Sequence, residues 1–387
     1  MTEYFEETIN NKYKNLSVSG RLCLFGEHSD WAADYGVHPG FCISIGTDQH
    51  LKATAKASDR FLVETVIPDK LGRPSSRIRL MSCLWNAEHL CSAAKDKTEF
   101  FRYCAGVAYE ALTEFRISGG IEIHITDMDL PLKKGVSSSA AVCVLTAKAI
   151  NTVWNLNLSH QDLMELAYYG ERLTGSQCGR LDQSCIYGKT PVLLTFDKPE
   201  SVGVEPIPCS SSVHMFFVDL AGQKDTVRIL KDLQTSYPMS SDLQKALGQE
   251  NEKITLLACE ALKTGDARTL GYLMNQAQAV FDKLVAPHSP EELKSPLLHR
   301  LLNYEPLLKY IYGGKGVGSH GDGTVQFVAR SENDRDKAIK LLETVFPQMR
   351  CYALTIPSNN LIHGQSKAYS QHFNGRKISP GYEIQAI

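Results

Sequence analysis

No stretch of this 387-residue chain is apolar for long enough to span a bilayer as a helix, so a helical membrane protein is not expected. Charge of one sign is also missing. Lys and Arg number 41 against 43 Asp and Glu, and the net charge of −2 leaves no electrostatic footprint for nucleic acid or an anionic membrane surface. The 11 cysteines include no C-x-x-C pair and are odd in number, which argues against both a disulfide framework and a zinc site. Cys23, Cys143 and Cys259 sit among apolar neighbours and read as small core residues, so a reducing cytoplasm is expected. Met1 to Asn15 is polar and mixed in charge, unlike a secretory signal. Repeats, low-complexity tracts and coiled-coil heptads are absent. What remains is an ordinary globular composition, 43% hydrophobic and 22% charged, on a chain longer than one core usually supports. Two domains are expected, 1–205 and 206–387, divided in the Pro- and Ser-rich stretch Pro199–Ser212.

The most informative stretch is Leu130-Pro131-Leu132-Lys133-Lys134-Gly135-Val136-Ser137-Ser138-Ser139-Ala140-Ala141. Ile121, Ile123 and Ile125 alternate with polar residues before it, the period of a half-buried strand. Ala140 to Trp154 follows as a buried helix. A helix start carries unpaired N–H groups and the positive end of a dipole, and so offers an anion site. A serine there either caps the helix or ligates Mg²⁺ beside a nucleotide phosphate.

Three other stretches bear on that choice. Val18 to Phe25 is a strand that runs into Gly26-Glu27-His28-Ser29-Asp30-Trp31, either a solvated turn or a polar-ligand site. Ser159-His160-Gln161-Asp162 opens a helix with a capping box. That helix ends near Glu171, and Asp182 follows after a glycine-bearing turn through Gly179. Such a pair of carboxylates is what phosphoryl transfer needs: one for a metal, one to receive or orient the hydroxyl proton. Leu297–Tyr312 reads as a helix feeding the glycine-rich run Gly313–Gly323. The region from Lys56 through Arg79 reads as polar, with turn signals at Asp69–Ser76. Two motifs are set aside. Gly316–Gly321 spells G-x-G-x-x-G, but a helix is expected before it and a strand after it. Gly188-Lys189-Thr190 lacks the first P-loop glycine, where Gln183 stands.

Taken together, Arg21–Trp31, Pro131–Ala141 and Gly313–Gly323 resemble the three motifs of the GHMP kinase superfamily, in its galactokinase-like form. The resemblance implies an α+β fold of two domains with the active site in the cleft between them. It makes Asp182 the catalytic carboxylate and Arg21 its cationic partner. Lys133, Lys134, Gly135, Val136, Ser137, Ser138, Ser139 and Ala140 would cradle the phosphates of ATP. Ser138 or Ser139, with Glu171, would hold Mg²⁺. Glu27, His28 and Asp30, with Gly179 and Asp182, would contact the sugar. The chain departs from the pattern at Lys133 and Lys134, where glycines are usual, in two extra residues between Asp30 and Tyr35, and at Arg180.

The reading is an ATP-dependent kinase acting at the anomeric hydroxyl of a galactose-like sugar or a uronic acid, with Arg21 and Arg180 jointly suiting an acid. A kinase of a mevalonate-type alcohol and a catalytically silent sugar and ATP sensor are the alternatives. No nucleic-acid or membrane partner is expected, and the oligomeric state is left open.

Overall fold

The computed structural model describes residues 12–67, 77–130, 137–176, 178–198, 201–359, 370, 372 and 373. Among the described residues, eleven strands form two sheets. The first sheet holds β1 (Lys14–Phe25), β2 (Gly40–Ser58), β3 (Arg60–Ile67), β4 (Arg77–Leu84), β5 (Gly120–Met128), β6 (Val192–Lys198) and β7 (Ser201–Pro206). The second holds β8 (Val213–Asp219), β9 (Ile311–Gly316), β10 (Thr324–Ala329) and β11 (Arg350–Ile356). In the first sheet the order is β4-β3-β5-β2-β6-β7, with β1 along the other edge of β2; the second runs β11-β8-β10-β9. The mixed α+β class agrees with the sequence reading.

The helices that matter for the site are α1 (Ser29–Ala33), α2 (Ala87–Lys95), α3 (Arg102–Glu114), α4 (Ser138–Trp154) and α5 (His160–Leu173). The centre of this layer is α4, whose residues Ala140, Ala141, Val144, Ala147 and Ile150 are at most 1% exposed. Its run of small side chains lets α3, α5, β1 and β2 approach from all sides. The α3–α5 crossing is closer still. A Cβ on Gly106 would meet the Gly170 carbonyl oxygen at 2.2 Å, and one on Gly170 would meet the Val107 Cα at 2.5 Å. The expected capping box on α5 is present, with Ser159 Oγ accepting from the Asp162 N–H.

Strand β8 is buried on both faces. Val213, Met215 and Phe217 join the large core shared with the first sheet, while Phe216 and Val218 join a second cluster under the final helix. The large core therefore spans both sheets. Ser370 and His372 return to the first layer as well, donating to Asp162 Oδ1 at 2.7 and 3.1 Å from side chain and backbone.

Several expectations are corrected. The region from 56 to 79 carries β3 and β4 rather than polar coil, because β3 lies beside β5 with Phe61 and Val63 fully buried. Asp69 to Ser76 lies outside the described residues. Strand β2 runs unbroken over Gly40–Ser58, and β1 pairs with it on either side of an irregularity between Ser19 and Arg21. Part of Pro199–Ser212 is β7, held by β6. Leu297–Tyr312 breaks into short helices at Pro296–Leu302 and Glu305–Leu308 before β9, with Pro296 and Pro306 each starting a new helix. The glycine-rich run is thus a β9–β10 hairpin. The helix over Thr226–Ser236 was not anticipated. Among the described residues no helix is long and apolar enough to cross a membrane.

Candidate active site

Arg21 projects from β1 to the start of the short helical turn Asp182–Tyr187, where its guanidinium pairs with the Asp182 carboxylate. Burial works against the charge of Arg21, but Asp182, Cys23 and Asp30 together more than offset it, and the pKa ends above the ordinary value. Two further carboxylates feel Asp182. Asp30 is pushed up to about 6, first by burial and then by Asp182. Glu171, 2% exposed at the end of α5, is pushed up to about 7 by the same two causes in the same order. Asp30, Glu171 and Asp182 therefore form one electrostatic cluster around a single committed arginine.

Glu171 accepts hydrogen bonds from Ser139 and from Gln183 Nε2, the latter at 2.9 Å. Ser139 lies in the first turn of α4. Ser137 takes the N-cap position with φ at 56° and makes no side-chain cap, so the first N–H groups of α4 gain no partner from it. Ser138, Ser139 and the buried Ala140 are thus at the helix start beside Glu171. Lys133, Lys134, Gly135 and Val136 lie outside the described residues.

A magnesium ion suits this donor set. Mg²⁺ prefers hard oxygens and keeps one or two protein carboxylates, filling its shell with water and phosphate oxygens. Glu171 offers one such carboxylate, and the Ser138 or Ser139 hydroxyl would add a further hard oxygen. Beside them, Gln183 Oε1 is buried without a hydrogen-bond partner, an acceptor left for a bound water or ligand hydroxyl. Among the described residues no group of three or more His, Cys, Asp or Glu side chains forms a closed metal cage.

The turn after β1 is pinned by Ser29 Oγ, which donates to the carbonyl oxygens of Gly26 and Phe41 at 2.8 and 3.0 Å. It divides the three side chains expected on the sugar. Asp30 packs against Gly179, where a Cβ would come within 1.9 Å of Asp30 Oδ2. Only glycine fits there. Glu27 instead accepts from Lys315 Nζ at 2.5 Å, an ion pair between the turn and β9 with Lys315 only 2% exposed. The His28 imidazole accepts from Trp31 Nε1–H at 3.0 Å. Burial, then Lys224 and Lys315, push it down to about 3, so it is neutral. Glu27 and His28 therefore find their partners away from Asp182.

Arg180 does not stand ready for an acid. Its Nε donates to both Glu165 oxygens at 3.0 and 3.1 Å, and its guanidinium lies 4.3 Å over the Tyr168 ring. Sequence reasoning missed Lys315, Gln183 and Glu165. A lone lysine inside a glycine-rich apolar run was the available signal for the first, because a buried ammonium demands a partner. Nothing local marked the other two.

Comparison with known proteins places these features in a family context. The family profile described as GHMP kinases N terminal domain matches residues 101–189. The galactokinase of Pyrococcus furiosus is 27% identical over 288 residues, 67% of this chain and 74% of its own. The galactokinase of Roseiflexus sp. is 24% identical over 356 residues, covering 82% and 83%. Among solved structures, Lactococcus lactis galactokinase complexed with galactose superposes with a TM-score of 0.67 at 19% identity, over 90% of this chain and 94% of that one. The Methanococcus jannaschii mevalonate kinase gives 0.66 at 18% identity, over 90% and 99%. These structural likenesses speak to the fold.

Proposed function

We propose, on the premise that this chain is a galactokinase-like member of the GHMP kinase superfamily, that it transfers the γ-phosphoryl group of ATP to the anomeric hydroxyl of a monosaccharide. The observation that carries the reading is the Arg21–Asp182 pair beside Glu171 and the start of α4. Phosphoryl transfer has a loose transition state, so the protein's work is positioning and charge stabilisation. The sugar oxygen forms a bond to phosphorus as the bond to ADP breaks. Asp182 orients the hydroxyl and receives its proton. Arg21 holds that carboxylate in place and lies where negative charge gathers on the transferring group. Ser137 to Ala140 present the helix N-terminus to the phosphates. When bound by Glu171 and Ser138 or Ser139, Mg²⁺ supplies positive charge to the phosphate oxygens. Asp30 reads sugar hydroxyls next to Gly179, and Glu27 and His28 shape the turn that presents it. We also propose that the domains divide as 1–205 and 206–387, at the end of β7.

Asp182→Asn tests this. Turnover with the best sugar is expected to fall at least roughly a hundredfold, the scale of a positioned acid–base group, while ATP still binds. Near-normal turnover in a folded variant removes Asp182 from the chemistry. Mevalonate belongs in the same assay, because ADP release with it alone selects the acyclic-alcohol alternative.

A further inference from the structure

The short helical turn after Leu181 holds more than Asp182. Gln183, its second residue, is fully buried and reaches back to the end of α5, where its Nε2–H donates to Glu171 Oε2 at 2.9 Å. The other terminal atom of that side chain, Oε1, is buried with no hydrogen-bond partner. We infer that Gln183 is a positioning residue for the magnesium ion, holding Glu171 with Nε2 and accepting from a water in the ion's shell with Oε1. The inference rests on the kinase reading above and gives Gln183 a role in it.

A buried amide left with one end unpaired away from water is costly, and such atoms are rare in folded proteins. An ionised carboxylate only accepts, so the amine edge of Gln183 is fixed on Glu171 and the oxygen edge follows from it. Both edges share one carbon, which keeps Oε1 close to the Glu171 carboxylate. That oxygen lacks a donor. Water on Mg²⁺ is a donor, and the ion usually keeps several of its waters. A neutral side chain also suits the charge balance, because Asp30, Glu171 and Asp182 already feel one another and Arg21 is paired with Asp182. A glutamate at 183 would add a fourth carboxylate, and a lysine would compete with the ion for Glu171. Glutamine does neither.

The turn that carries Gln183 is well held. Ser184 Oγ lies 2.7 Å from both the Leu181 carbonyl oxygen and Ser44 Oγ, which ties the turn to β2. Cys178 Sγ lies 3.8 Å from Gln183 Nε2. Ser139 also donates to Glu171, and Ser176 Oγ stands 3.5 Å from Glu171 Oε1. One turn thus fixes the Asp182 carboxylate directly and the Glu171 carboxylate through Gln183. Hydrogen-bond partners behind a metal ligand typically carry about 10–100-fold in metal affinity.

The test is isothermal titration of the full chain with Mn²⁺–ADP, Mn²⁺ standing for Mg²⁺, and with ADP in EDTA. Gln183→Met fills the same space without a donor or an amide oxygen. It should weaken Mn²⁺–ADP by about 10–100-fold while ADP in EDTA binds as in the parent. Gln183→Asn draws the amide back by one methylene and should weaken Mn²⁺–ADP on the same scale, which decides the matter if the methionine variant does not fold. A double variant separates positioning from a merely structural role. With Glu171→Gln already present, Gln183→Met should weaken Mn²⁺–ADP by no more than about threefold further, because the group it positions is gone. Mn²⁺–ADP affinities equal to the parent's in the single variants overturn the inference and leave the kinase reading in place. Equal losses with and without the metal do the same, as do losses that multiply in the double variant. A parent that releases no ADP with any sugar, and whose ADP binding gains nothing from Mn²⁺, overturns the kinase reading itself and the inference with it.

Discussion

Replacing Glu171 with Gln is expected to make the ligand-free protein more stable at alkaline pH while impairing its use of Mg²⁺. Burial and the neighbouring Asp182 raise the Glu171 carboxyl from an ordinary 4.5 to about 7. The folded state therefore binds this proton more tightly than the unfolded chain. Its ionisation is unfavourable to folding, fully so above pH 7, and the penalty fades as pH falls toward 4.5. A shift of that size corresponds to about 3 kcal/mol at pH 8. A Gln side chain carries no such penalty, but it replaces one acceptor oxygen with a donor. That leaves Gln183 or Ser139 without part of its hydrogen bond, a loss of about 1 kcal/mol. The net expectation is a gain of about 2 kcal/mol at pH 8 and a loss of about 1 kcal/mol at pH 4.5. Urea unfolding of parent and variant at both pH values, without nucleotide or metal, measures the difference. Mg²⁺ with ADP should then stabilise the parent more than the variant, because binding to the folded state adds to its stability. Equal losses of stability at both pH values would refute the reasoning, for they would mean that Glu171 is an ordinary solvated acid.

Other outcomes follow from the same geometry. Asp30 is raised to about 6 by burial and by Asp182, so kcat/KM for the sugar should fall as pH drops through 6 and the carboxylate protonates. Asp30→Asn should lack that limb, which a pH profile of initial rates would reveal. Lys315→Met leaves Glu27 buried without its cation and should lose about 3–5 kcal/mol in denaturant unfolding. Adding Glu27→Gln should recover most of the loss, and a double variant no better than the single one would contradict the pairing. Gly179→Ala forces a Cβ into Asp30 Oδ2 and should raise the KM for sugar while ATP affinity, read by titration, stays put.

Much of this site was legible because its parts are local. A strand of alternating isoleucines, a helix rich in small residues and a serine three residues before an aspartate each carry their period or cap in neighbouring residues. That is enough to locate α4, the Ser159 capping box and the Glu171–Asp182 segment, and the resemblance tied them to phosphoryl transfer. Where local chemistry was ambiguous the reading failed. Val63 and Thr65 mark β3 only once β5 covers them, and Pro199–Ser212 looked like a loop until β6 supplied the hydrogen bonds of β7.

The sequence by itself singled out six charged candidates for the site, Arg21, Glu27, Asp30, Glu171, Arg180 and Asp182, all in short, recognisable stretches, but not Lys315 or Glu165. Tertiary structure alone decided which acid meets which base. Glu27 finds Lys315, 288 positions away, and Arg21 finds Asp182, 161 positions away, while Arg180 turns to Glu165 and is withdrawn from the ligand. The physical reason is desolvation. A charge leaving water must take the partner that packing brings within reach, and that partner is set by how β1, β9 and α5 cross rather than by any pattern along the chain.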